Sequence, residues 1–151
     1  MSTTSHPDIV RPRLARVGLA GFLYFIAVFQ VGFLLGILRV LWLEPWLGTR
    51  SAELLEMPFM LVAIMFASRW VVRRMRLDHV KEPLWAGLFA LALLLIAEVA
   101  VVLELRGVSI SDYVHDRDAV TGTIYLIMLW VFALFPAASD LVFPRIIERE
   151  S

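Results

Sequence analysis

"VGLAGFLYFIAVFQVGFLLGIL", Val17 to Leu38, contains no charged residue and no proline. A bilayer's hydrocarbon is ~30 Å thick, which about 20 apolar residues cross as a helix. An open sheet of such residues would leave backbone groups unpaired in lipid, so a helix is the available solution. Arg11, Arg13 and Arg16 precede the run, as in a signal peptide. It is nevertheless too long for an apolar signal core of roughly 7–15 residues, and no small-residue cleavage pattern follows. The stretch therefore predicts an uncleaved membrane helix that continues through Arg39 to about residue 43.

Three more runs repeat this reading. "MPFMLVAIMFASRWVV", Met57 to Val72, reaches spanning length if its helix starts near Ala52, which predicts a helix over about 52–75. "LWAGLFALALLLIAEVAVVLEL", Leu84 to Leu105, has Pro83 at its first turn, where a missing N–H costs nothing. It predicts a helix over 83–105. "TGTIYLIMLWVFALFPAAS", Thr121 to Ser139, predicts the last, over 121–141. The chain is 60% hydrophobic with a mean hydropathy of +0.80, an excess that lipid as well as a core must receive. The expected fold class is all-α: a polytopic membrane protein with four transmembrane helices in an antiparallel bundle. Its membrane domain covers 17–143, between a mobile tail (1–16, with Pro7 and Pro12) and a short tail (144–151).

Basic residues alternate between connections. Arg11, Arg13 and Arg16 precede the first helix; Arg73, Arg74, Arg76 and Lys81 flank the second connection; Arg145 and Arg149 follow the last helix. The first connection holds Arg50, and the third sets Arg106 and Arg117 among Asp112, Asp116 and Asp118. The positive-inside rule then puts both termini in the cytoplasm.

The chemistry that composition excludes is broad. Without cysteine there is no disulfide, thiolate metal site or thiol nucleophile. His6, His79 and His115 all lie outside the predicted spans, which argues against haem held between helices. No Walker loop, G-x-S-x-G or H-E-x-x-H occurs, so neither a cofactor nor an enzymatic reaction is expected. Asp112, His115 and Asp116 would share a face if their connection were helical, a weak metal candidate; acidic loops are more often simply solvated. The arginines fall in short clusters beside apolar runs, so nucleic acid is not an expected partner. The bilayer is.

What chemistry remains lies in the charges within the spans. Arg39 and Glu56 are equidistant from the turn "EPWLGT", which places them opposite each other on antiparallel neighbours. Arg39 shares a helix face with Gly32 and Gly36, and Glu56 shares one with Ala52, Ala63 and Ala67. Small residues let membrane helices approach closely, so these faces predict a packed seam stapled by an Arg39–Glu56 pair. Mirroring across the second connection puts Glu98 in the same layer. There it is a second acceptor for Arg39, a hydrogen-bond partner of Gln30 or Tyr125, or a proton-carrying carboxyl. Glu53 sits at the rim of this group. Arg69 faces well away from Glu56, toward Asp140 or the headgroups, and Pro136 frees a carbonyl in the last helix.

The pattern "GFLLGILR…EP…G…AELLEMPFM…ASRW" resembles a group of small four-helix bacterial membrane proteins with no established activity. The resemblance implies that Arg39 and Glu56 are part of a shared signature, and the expected location of the chain is the bacterial inner membrane. The leading expectation is an accessory subunit or homo-oligomer, with Arg39–Glu56 as a structural staple. The alternative is a proton- or ion-coupled transporter or channel using Glu98 and Glu56, with Arg39 as counter-charge.

Overall fold

A computed structural model describes residues 10–77, 81–101 and 119–142, the side chains of 10–12, 119, 121 and 140–142 excepted. The described chain is helical apart from short turns. Helix α1 covers Val10–Leu38, a π-helical turn follows at Arg39–Leu43, and α2 is the single turn Glu44–Leu47. Then come α3 (Thr49–Arg74), α4 (Lys81–Val101) and α5 (Ala119–Val142). Four helices are each long and apolar enough to cross a membrane.

The first helix starts earlier than residue 17, because Pro12 falls in its first turn, where no intrahelical N–H is needed. It also runs on past residue 43 by widening. The N–H of Glu44 reaches back to the carbonyl of Arg39, and this π-turn precedes Pro45, whose ring would crowd a regular α-helix. The chain reverses at Gly48, with φ 75° and ψ 159°, a conformation open in practice to glycine alone. At its far end α3 closes with Arg76 left-handed (φ 48°), Arg76 N–H on Arg73 and Leu77 N–H on Val72. This double closure, with buried Leu77 folded back, is a Schellman cap built on arginine instead of glycine.

Helix α1 packs on α3 and α4, and α5 packs on the same two, so α3 and α4 stand diagonally across the bundle. Consecutive helices are therefore neighbours at the first and last connections and not at the middle one. Contacts give the directions. Gly32 meets Met60 and Arg39 meets Glu56 on antiparallel α1 and α3, while Gly87 meets Ala133 and Glu98 meets Tyr125 on antiparallel α4 and α5. Arg16–Glu82 and Gly21–Ala86 run in the same sense, making α1 and α4 a parallel pair.

The core is concentrated toward one end. Ala20, Tyr24, Val28, Ile64, Ser68, Val72, Leu77, Ala90 and Phe132 are buried there. Tyr24 and Phe132 stack with ring centroids 4.6 Å apart, and the Tyr24 hydroxyl donates to the Phe132 carbonyl at 2.9 Å. That carbonyl is the one Pro136 orphans, because residue 136 has no N–H to return to residue 132. The bundle surface is apolar, with Phe66 72% and Trp130 62% exposed.

The predicted glycine seam is corrected by this packing. A Cβ on Gly21 would come within 2.6 Å of the Ala86 carbonyl, and one on Gly87 would run into the Ala133 carbonyl. Those two glycines carry the close approaches. Gly32 faces only the Met60 side chain at 3.2 Å, and Gly36 faces open space.

Candidate functional site

The space beside Gly36 belongs to a cavity of about 580 Å³ at the end of the bundle away from the core. Its floor is formed by Val28, Ile64 and Phe132, and it extends to the level of Leu41 and Val101. Phe29, Met60, Leu94 and Met128 make apolar walls. Four charged side chains line it, Arg39, Glu53, Glu56 and Glu98, together with Tyr125. Below the floor the Tyr24–Phe132 stack closes the bundle.

Each polar group is placed by a feature of its helix. Arg39 opens the π-turn, and its side chain lies within reach of three carboxylates: Glu56 at 3.3 Å, Glu53 at 3.5 Å and Glu44 at 3.5 Å. Glu53 and Glu56 are one turn apart on α3 and so face the same way. Glu44 is five residues from Arg39, a separation that points away in an α-helix and nearly overhead in a π-turn. The group is largely withdrawn from solvent, with the Glu56 side chain 12% and the Arg39 side chain 21% exposed. Arg39 Nε and Glu56 Oε2 are buried without a hydrogen-bond partner of their own, despite the ion-pair distances.

Glu98 belongs to a second, deeper tier. Carrying the α1–α4 offset of Arg16–Glu82 along the helices sets Glu98 level with Gly32, roughly two turns from Arg39. It accepts a hydrogen bond from the Tyr125 hydroxyl. Mirroring across the middle connection assumed that α3 and α4 are neighbours; they are diagonal, so Glu98 shares the cavity with Arg39 and Glu56 and not their layer. Arg39 has Glu44, Glu53 and Glu56 as its salt-bridge partners, and Glu98 is not one of them.

The other candidates lie elsewhere. Arg69 is half-buried on α3, toward the core end and outside the cavity. Asp140 lies on α5 with its side chain outside the described portion. Asp112, His115 and Asp116 lie outside the described residues. Among the described residues no cluster of three or more His, Cys, Asp or Glu is arranged to hold a metal ion.

Sequence reasoning missed two things. Arg16 Nη2 meets Glu82 Oε2 at 2.9 Å across the parallel pair α1–α4, a neighbourhood that a hairpin picture does not contain. Glu44 joins Arg39 only because of the π-turn, for which Pro45 was the available signal. Comparison of the chain with protein-family models, curated proteins and solved structures returns no match in any of the three.

Proposed function

We propose that this chain is a four-span membrane protein, with both termini cytoplasmic, whose working part is the cavity: a carboxylate site that takes up a proton, ion or small solute. The observation that carries this reading is the gathering of acids around one arginine at a cavity. Arg39 is shared by Glu44, Glu53 and Glu56, and Glu53 and Glu56 line the cavity together with Arg39 and Glu98. A staple needs one acid for one base. Several acids around a partly open volume suit a site that receives positive charge. Arg39 is then the counter-charge that limits repulsion among the glutamates when the site is empty.

Reconstitution in liposomes with an entrapped pH dye tests the reading. An imposed potential drives proton flux that Glu98→Gln abolishes. Flux equal to that of empty liposomes, or undiminished in Glu98→Gln, overturns it. A second reading, an accessory subunit or homo-oligomer stapled at this hairpin, is supported by the three partners of Arg39 all lying within Glu44–Glu56, around the Gly48 turn.

A further inference from the structure

Gln30 is the carboxamide of α1, set in the charge-free stretch between Arg16 and Arg39. It lies within a turn of the midpoint between those two arginines, and so near the middle of the span. At 3.6 residues per turn it falls about 160° around α1 from buried Val28 and about 180° from Gly21, which meets α4. The residue is exposed accordingly. Its amide leaves the bundle at a depth where lipid offers no hydrogen-bonding group, and a side chain of that length does not cover the ~15 Å to the headgroups. The neighbours on this face carry a second signal. Leu19, Leu23, Ile26, Gln30, Phe33 and Ile37 follow one another at alternating intervals of four and three residues. That is the heptad spacing with which a helix packs along a parallel copy of itself. Leu19, Phe33 and Ile37 are exposed, the last two also edging the cavity, and Leu23 and Ile26 are half-buried.

We propose that the chain forms a two-fold dimer along this outward face of α1, with Gln30 of each copy hydrogen-bonded to Gln30 of the other. The inference rests on the homo-oligomer reading and on the four spans crossing a bilayer, and it is independent of what the cavity takes up. A carboxamide both donates and accepts, so two copies related by a two-fold axis satisfy each other. The face carries no charge that calls for an ionic partner of another kind. Side-chain amides hydrogen-bond between helices in lipid, and one polar residue at a seam position fixes the register of a helix pair. Two copies inserted in the same sense bring their α1 helices together in parallel, with the axis along the bilayer normal.

The test is Förster transfer between full-length copies labelled at the N-terminus with donor or acceptor, in liposomes diluted progressively with lipid. The expected result is transfer that falls along a monomer–dimer isotherm. Gln30→Leu weakens the association by about 5–30-fold, the weight of an interhelical hydrogen bond in model membrane helices. Leucine at an outward position leaves the fold intact, which an unchanged thermal unfolding of the diluted variant checks. Trp130→Phe, on the exposed face of diagonal α5, leaves the association unchanged. Because the chain has no cysteine, Ile37→Cys puts a single thiol on the seam with Gln30 kept, and oxidation links it into a disulfide dimer, whereas Trp130→Cys stays unlinked. A dimer that Gln30→Leu leaves at full strength, or that Trp130→Cys links as readily as Ile37→Cys, overturns this face while the homo-oligomer reading stands. Transfer no greater than random crowding gives, at every dilution, overturns both.

Discussion

At the scale of single residues, the chemistry turns on how many acids one arginine serves. Three carboxylates within 3.5 Å of Arg39 repel one another, and removing the guanidinium leaves them mutually unscreened in a largely buried setting. Arg39→Ala is therefore expected to destabilise the protein by about 2 kcal/mol, the scale of a hydrogen bond to a charged group, as measured by thermal unfolding in detergent. The exchange Arg39→Glu with Glu56→Arg separates the two proposed roles. A staple recovers its stability in the double variant, because the pair is merely reversed. A cation site recovers stability and still fails in flux, because its positive charge now projects from α3 at a different place in the cavity. Arg39 and Glu56 as partners were legible from their symmetry about "EPWLGT". Glu44 was not, because periodicity of 100° per residue cannot anticipate a π-turn.

At the scale of helices, packing is decided where backbones touch. Gly87→Ala drives a methyl into the Ala133 carbonyl and must separate α4 from α5, costing about 1–3 kcal/mol by the usual scale of overpacking. Gly36→Ala meets nothing and is neutral or slightly stabilising, since alanine lowers the entropy of the unfolded helix segment. Measuring both by thermal unfolding tests the packing directly: an equal loss for the two would restore the Gly32/Gly36 seam. Tyr24 offers a sharper case. Its hydroxyl satisfies the Phe132 carbonyl that Pro136 orphans, so Tyr24→Phe strands a buried acceptor at a cost of about 1–3 kcal/mol. Pro136→Ala returns an N–H to that carbonyl from within α5. In that background the cost of Tyr24→Phe is expected to shrink to a few tenths of a kcal/mol, a coupling that a double-mutant cycle reads out. Pro136 was visible in the sequence as the source of a free carbonyl; the group that answers it came from the first helix, at the other end of the chain.

At the scale of the molecule, the bundle is tight at one end and hollow at the other. The chain's lack of cysteine makes this testable with single substitutions and a membrane-permeant maleimide. Gly36→Cys, facing the cavity, is expected to react rapidly, and Ser68→Cys, fully buried beside the Tyr24–Phe132 closure, to remain protected until the protein is unfolded. Similar rates at both positions would refute the asymmetry. The sequence by itself determined the four helices, since long apolar runs satisfy their backbone groups within one segment when helical. It also determined which charged residues stand among them, because charge in an apolar run is conspicuous at any level of reading. Only the tertiary structure decided that α4 lies beside α1 and diagonal to α3, and so that Glu98 lies deeper than Arg39. It alone turned the Gly32–Gly36 face from a seam into a cavity wall. The physical reason is that helix formation is local, fixed by backbone hydrogen bonds within each segment. Which faces meet depends on close fits such as Gly21 on Ala86 and Gly87 on Ala133, whose partners are far apart in the chain.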